Sequence, residues 1–479
     1  MHRLCTFIFI LLSVVHGNKY TPDWKSLDSR PLPEWYDQAK IGIFMHFGPY
    51  SVPGFGSEWF WYNLESGRAE EVSYMKQFYS PRFTYQDFGS KLRMEFFNAS
   101  HFAKLVHDAG AKYFVFTSKH HDGFVNFNSS YTFGWRSLDI GPKRDVVGEL
   151  SSAFSEYPTV KFGLYHSLFE WFNPLYLADK QANFSTRHFV ENKMMPELKQ
   201  LVEKYHPEVI WSDGDWEALP EYWGSKDFLA WLFNSSPTKS TVVVNDRWGI
   251  GTSKKHGSFY SGPDRYNPGT LQKHKFEDAT TVDKQSWGYR KNLDLQDIIS
   301  PQMLIQNMVS VVACGGNFLL NVGPTMEGTI SPIFEERLRT MGSWLNVNGE
   351  AIYGSNPWEF QNESSVEENI PIWYTARDDL HSVYAILFDW PSREPGVITS
   401  KYQLDLQQGN VTMLCYGSKS RPLRMKPSAK GLQVYLPSYA EMRAKCLKQQ
   451  GVDTGFVLKF QIHNSTITPQ EMIPTIQIV

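Results

Sequence analysis

The stretch Val209-Ile210-Trp211-Ser212-Asp213-Gly214-Asp215-Trp216 decides the fold. Val209, Ile210 and Trp211 are strand formers, and Asp213-Gly214 stops the run. Residues 187–205 come before it, with Phe189, Val190, Met194, Leu198, Leu201, Val202 and Tyr205 at helical spacing. His206-Pro207 breaks that helix. A helix thus feeds a buried strand that ends in two acids between two tryptophans. In an α/β barrel, an acid at the carboxyl end of a strand stands where chemistry happens. An indole beside it suits the apolar face of a sugar ring. Asp213 also reads as a turn cap before the next helix, and the octapeptide alone leaves the two readings even.

Working outward, the same pattern recurs. Ile41-Gly42-Ile43-Phe44-Met45 runs into His46, Tyr113-Phe114-Val115-Phe116-Thr117 into Lys119-His120-His121-Asp122-Gly123, and Val160 to Leu164 into Tyr165-His166. Val242-Val243-Val244 runs into Asn245-Asp246-Arg247, and Asn317-Phe318-Leu319-Leu320-Asn321-Val322 into Gly323-Pro324. Helical stretches lie between, among them residues 302–313 and 332–346. Continuous apolar strands alternating with helices imply a parallel sheet buried on both faces. A barrel would gather the polar strand ends on one rim. A doubly wound open sheet is the alternative, but it wants a phosphate-binding glycine loop after the first strand. Gly42 and Gly48 do not make one. Gly249-Ile250-Gly251-Thr252-Ser253-Lys254 lacks the Gly-Lys-Ser/Thr order of such a loop.

From about residue 355 short strands separated by Gly, Pro, Asn and Asp replace this alternation, as in an antiparallel sandwich. The fold class is therefore read as α/β: a (β/α)8-like, TIM-type barrel over residues 18–354, then an antiparallel β-sandwich over residues 355–479. Residues 1–17 read as a signal peptide: His2-Arg3, an apolar run over residues 4–15, and Val15-His16-Gly17 as the cleavage site. That run is too short for a membrane span. The expectation is a chain of the secretory pathway, lysosomal or secreted. A net charge of −3 over 479 residues gives no sign of nucleic acid or an anionic membrane as partner.

Seven sequons, Asn98, Asn128, Asn183, Asn234, Asn362, Asn410 and Asn464, fit a glycosylated protein. Cys5 leaves with the signal. Cys415 and Cys446 share the C-terminal region and are candidates to pair, while Cys314 reads as a buried free thiol.

Most glycoside hydrolysis uses two carboxylates that flank the scissile bond. Asp213 is the candidate nucleophile, and Arg247, unless it serves a structural ion pair, would keep it ionised. The series Met45-His46-Phe47-Gly48, Glu58-Trp59, Lys119-His120-His121-Asp122-Gly123-Phe124, Trp211-Ser212-Asp213-Gly214, Asn245-Asp246-Arg247-Trp248-Gly249, Ser286-Trp287-Gly288-Tyr289 and Asn321-Val322-Gly323-Pro324 resembles the α-L-fucosidases of glycoside hydrolase family 29, in the family's order. The resemblance covers nearly the whole mature chain and is closest to the animal lysosomal-type enzymes.

The resemblance implies a retaining mechanism with Asp213 as nucleophile. It implies a fucose pocket lined by His46, Glu58, Trp59, His120, His121, Tyr165, Arg247 and Trp287. It implies fucosylated glycans as partners, no metal or organic cofactor, and a homo-oligomer. The acid/base falls on Asp264, with Glu277 as the alternative. Glu277 matches a family motif, Lys-Trp-Glu-x-Cys, in which Phe276 and Ala279 depart from the usual Trp and Cys. That departure is the one support for a rival reading, a fucose-binding protein without turnover. A metal pair at His120-His121 is disfavoured, because neighbours on a regular strand point to opposite faces. Retention would place the two carboxyls ~5–5.5 Å apart.

Overall fold

The computed structural model describes residues 19–401, 409–419 and 421–461. Residues 1–17, read from the sequence as a signal peptide, and Asn464 lie outside them. Seven parallel strands form one curled sheet: β1 (Ile41–Met45), β2 (Tyr113–Lys119), β3 (Lys161–Ser167), β4 (Val209–Asp213), β5 (Val243–Val244), β6 (Glu277–Thr281) and β7 (Asn317–Val322). Their order is β5-β4-β3-β2-β1-β7-β6. Four main-chain bonds bridge the gap between β5 and β6 through residues 258–260, one of them from Phe259 N to Val244 O at 3.3 Å. Ser258 N donates to Val244 O, Tyr260 N to Lys275 O, and Glu277 N to Tyr260 O, each at 2.9 Å. With this short eighth stave the sheet is the (β/α)8-like barrel that the strand pattern predicted.

Every residue of β1, β2, β4, β6 and β7 is buried, as a sheet covered by helices outside and filled by its own side chains inside requires. Phe44, Tyr113, Tyr165, Trp211, Phe259 and Leu319 fill the interior. Phe44 lies 5.8 Å from Tyr165 and 5.5 Å from Trp211, ring to ring. Gly42 stands opposite Tyr113 in the β1–β2 register. A Cβ there would sit 2.4 Å from the tyrosine ring, so glycine leaves the room that lets Tyr113 turn inward.

The helix expected over residues 187–205 is not one regular α-helix. A π turn, Val190–Met194, precedes Met195–Tyr205. Pro196 is the reason: it has no N–H for a preceding carbonyl and widens the turn before it. His206, left-handed at φ 49°, ends the helix ahead of Pro207 as the sequence suggested. The helix Pro301–Ala313, capped by Ser300, leads into buried Cys314, a free thiol.

The C-terminal region holds two antiparallel sheets. One has the order β12-β15-β10-β9-β8, the other β11-β14-β13, where β8 is Asn356–Ser364, β9 Pro371–Arg377, β10 Ser382–Leu387, β11 Val397–Ser400, β12 Val411–Met413, β13 Arg424–Ser428, β14 Gly431–Tyr435 and β15 Phe456–Gln461. Ile372, Tyr374, Val383, Val434 and Leu458 belong to their common core, and Cys415 is bonded to Cys446. The barrel holds this region through Trp344, whose Nε1 donates to Gly455 O at 3.0 Å.

Among the described residues no helix is long and apolar enough to cross a membrane. Asn98, Asn128, Asn183, Asn362 and Asn410 are exposed. Asn234 is half-buried. Its Nδ2 donates to Tyr20 O and Ala230 O, and its Oδ1 accepts from Tyr20 N. The amide that would carry a glycan instead ties the N-terminal segment to a helix.

Candidate active site

The barrel's carboxyl-end rim encloses a pocket lined by Phe44, His46, Glu58, Trp59, His120, His121, Tyr165, Trp211, Asp213, Trp216, Arg247, Asp264 and Trp287. All eight residues expected to line the pocket are here, with Asp213 and Asp264. Phe44, Trp211 and Trp216 are additions. Phe44 and Trp211 are inward-facing strand residues, and Trp211 and Trp216 are the two octapeptide tryptophans whose indoles suit the face of a sugar.

Asp213 is the last residue of β4. Gly214, at φ 74°, turns the chain away at once, and a Cβ there would stand 2.7 Å from the Phe169 ring. Asn245 clamps the strand end: its Oδ1 accepts from Ser212 N and Oγ, and its Nδ2 donates to Ser212 O. The carboxylate is buried and receives Arg247 Nη1 on Oδ1 at 2.9 Å and the Tyr165 hydroxyl on Oδ2 at 2.8 Å. His121 Nε2 lies 3.4 Å from Oδ2. Burial alone would raise the acid's pKa, but the Arg247 cation and the His121 contact outweigh it and hold the carboxyl well below the usual range. Asp213 is therefore driven toward the anion.

Arg247 holds both candidate carboxylates. Its Nη2 donates to Asp264 Oδ1 at 2.6 Å and to Gly262 O at 3.1 Å, and its Nε to Ser261 Oγ at 3.2 Å. Its guanidinium carbon sits 4.7 Å from the centre of the Trp211 ring, a cation–π seat. Asp246 anchors the same loop by accepting from Ser261 N and Oγ. Asp213 and Asp264 thus stand one guanidinium apart, the first buried and the second with a side chain 43% exposed.

Glu277 is elsewhere, and the structure corrects its candidacy as acid/base. It begins β6 and lies wholly buried in the barrel, below the pocket. Its Oε2 accepts from Tyr36 at 2.7 Å and Tyr113 at 2.6 Å, and its Oε1 from Trp211 Nε1 at 2.9 Å. It is not among the residues that line the pocket around Asp213. Phe276 and Ala279 are likewise buried in the core, away from the pocket lining. The motif departure therefore leaves the site untouched, and the rival reading loses its one support. Asp215 lies past the Gly214 turn, outside the pocket lining, and burial and the Asp213 charge push its carboxyl up to about 7.

The opposite wall is built for hydroxyl groups. Glu58 Oε2 accepts from Trp287 N, Gly288 N and Ser286 Oγ at 2.9–3.2 Å, which fixes the Trp287 loop. His46 Nδ1 lies 2.8 Å from Asn321 Oδ1, while Asn321 Nδ2 donates to Trp287 O. The asparagine oxygen must accept, so His46 Nδ1 donates and its Nε2 is left as an acceptor. Burial lowers the His46 pKa to about 4. His120 is held neutral by burial and by the neighbouring His121 and His46. Its buried Nδ1 has no partner among the described residues, as expected of a group kept for a ligand hydroxyl. His120 and His121 line one pocket, with ring centres 4.2 Å apart, contrary to the opposite-face expectation. The strand rule does not reach them, because β2 ends at Lys119.

Two carboxylates at the mouth of a barrel, facing hydroxyl-binding imidazoles and indoles, define a glycoside hydrolase site. The α-L-fucosidase family model matches residues 9–350 and the model of the α-L-fucosidase C-terminal domain matches residues 361–461. The chain belongs to the α-L-fucosidase family. It is 49% identical to the tissue α-L-fucosidase of Bos taurus over 88% of this chain and 87% of that protein. It is 51% identical to the plasma α-L-fucosidase of Homo sapiens over 78% and 80%. The crystal structure of the Thermotoga maritima α-fucosidase in complex with a mechanism-based inhibitor superposes with a TM-score of 0.78 at 32% identity, covering 92% of this chain and all of that one.

Proposed function

We propose that the chain is a retaining exo-α-L-fucosidase that removes terminal α-L-fucose from glycoconjugates through a covalent fucosyl-enzyme. One observation carries the reading: a single guanidinium holds a buried, ionised Asp213 and an exposed Asp264 at two of its nitrogens. Tyr165 and Arg247 aim the Asp213 carboxylate. One of its oxygens bonds to the anomeric carbon as the bond to the aglycone oxygen breaks. Asp264, released from Arg247 and protonated from solvent before the step, gives that oxygen its proton. It then takes a proton from water, the water oxygen attacks the anomeric carbon, and Asp213 departs as a carboxylate. His46 Nε2 and His120 Nδ1 meet sugar hydroxyls, and Trp287 packs the ring.

The same reading sends the chain through the secretory pathway after loss of residues 1–17, to a lysosome or the cell exterior. Glycans attach at the exposed sequons, and the barrel and sandwich divide near residue 355.

The test is release of the aryl group from a chromogenic α-L-fucoside at mildly acid pH, with wild type beside Asp213→Gly, and NMR of the first sugar formed. Turnover with α-fucose as first product, loss in the variant and rescue by azide support the reading. An inert wild type, or β-fucose appearing first, overturns it.

A further inference from the structure

We infer that a basic cleft in the C-terminal region is a binding site for a sulfated polysaccharide, separate from the catalytic pocket. Residues 421–448 hold seven basic side chains and one acid, Glu441, in a chain whose 50 acids outnumber its 47 bases. All seven basic residues are exposed. Three of them, Arg421, Arg424 and Lys445, line a cleft of about 600 Å³ together with Tyr416 and Tyr435. Its lining shares no residue with the pocket around Asp213. The cations are held in place. Cys415 is bonded to Cys446, which keeps Tyr416 beside Lys445, and the ammonium lies 4.4 Å from the tyrosine ring centre. The Arg424 guanidinium lies 4.7 Å from the ring centre of Tyr435, its partner in the β13–β14 register. Met425 packs on the core of the region, so Arg424 and Lys426 on either side of it share the outer face of β13. Lys445 bonds Glu441 at 2.9 Å. Arg421 and Arg424 have no carboxylate within 4.0 Å among the described residues.

Charged side chains on an edge strand guard it against pairing with another chain. β13 is such an edge, and that role accounts for Arg424 and Lys426. It does not account for Arg421, which precedes the strand, or for Lys445, which comes from the π turn Arg443–Leu447. Three separate stretches bring cations to one concave site, where their mutual repulsion is relieved by an anion. A guanidinium fork donates two parallel bonds to an oxyanion of sulfate or phosphate type. A flat bilayer does not enter a cleft. A chain of the secretory pathway, the reading proposed above on which this inference rests, meets dense negative charge as the sulfate groups of cell-surface and matrix polysaccharides. Capture there holds the hydrolase at a surface and leaves its barrel pocket free.

The experiment measures Kd for heparin at about 0.15 M ionic strength, where charges more than about 8 Å apart are largely screened. Wild type runs beside the cleft variant Arg421→Ser/Arg424→Ser/Lys445→Ser. A control, Lys76→Ser/Arg82→Ser/Lys104→Ser, removes three exposed positive charges from the barrel. Desulfated heparin, duplex DNA and phosphatidylserine vesicles are the comparison probes. The expected result is heparin binding by wild type, weakened at least about ten-fold in the cleft variant and unchanged in the control. Desulfated heparin, DNA and vesicles should bind more weakly than heparin. Circular dichroism shows that each variant has folded. No binding of heparin by wild type, or an equal loss in the two triple variants, overturns the cleft. Tighter binding of DNA or vesicles, lost in the cleft variant, overturns the polysaccharide as its ligand. Turnover of an aryl α-L-fucoside by the same samples tests the fucosidase reading separately, and appearance of the expressed chain in the culture medium tests the secretory one.

Discussion

Two buried carboxylates, Asp213 and Glu277, lie on either side of the Trp211 indole, and their surroundings send them in opposite directions. Arg247 stacks on the Trp211 ring and bonds Asp213, while Trp211 Nε1 bonds Glu277. Both acids lose their water. Asp213 receives a full positive charge within hydrogen-bond distance and is driven toward the anion. Glu277 receives three neutral donors from Tyr36, Tyr113 and Trp211, and burial still raises its pKa. Neutral donors moderate the cost of burying a charge; a bonded cation reverses it. The difference sorts their places: the mouth holds a carboxylate driven toward the anion, and the core holds one that ties three side chains together.

The comparison breaks most visibly at Asp213. Asp213→Gly should lower kcat on an aryl fucoside by about 10⁴-fold or more, as loss of a nucleophile does, while leaving a folded protein by circular dichroism. Arg247→Ala should lower kcat/KM by roughly 10²–10³-fold. It should also move the acid limb of the pH–rate profile upward, because Asp213 then has burial without a bonded cation. Arg247→Lys should not restore it, since an ammonium cannot span two carboxylates as the planar fork does.

Glu277→Ala should act on stability: about 3 kcal/mol lost in denaturant unfolding, because three buried donors are orphaned. The two acids also tilt stability oppositely with pH. Asp213, with its pKa depressed on folding, contributes stability that is present above its unfolded value of about 3.9 and lost as pH falls below it. Glu277, with its pKa raised, stabilises most below about 4.3 and loses that contribution as pH rises through its folded value. Thermal melts of Glu277→Gln should therefore lose part of the wild-type decline on the alkaline side. The smallest effect is expected from Trp211→Phe, which keeps a ring under Arg247 and removes the bond to Glu277. It should cost about 1 kcal/mol in unfolding with little change in kcat.

Much of this was legible because barrel strands announce themselves by apolar runs with polar ends. His46, His120, Asp213 and Arg247 were found that way, and the family resemblance supplied Glu58, Trp59 and Trp287. The reading failed where the barrel interior is polar. Glu277-Asp278-Ala279-Thr280-Thr281 contains no apolar run, because Tyr36, Tyr113 and Trp211 reach across to satisfy Glu277, so nothing in the pattern marks β6 as a barrel strand or Glu277 as a core residue. The eighth stave, residues 258–260, is too short for any periodicity to show. Asn234 satisfied a sequence pattern for glycan attachment, but pattern carries no burial, and Tyr20, 214 positions away, had already taken its amide.

The barrel's seam has a consequence of its own. The stave that closes the ring is held by four main-chain bonds, and the chain leaving it carries Asp264 outward before returning at Phe276 to start β6. Asp213 instead ends a strand paired on both sides. Lengthening or shortening the chain between Gly262 and His274 would alter how the leaving sugar is met without shifting Asp213 by a register step. The joint of the ring is thus where its descendants can change diet while keeping the same bite.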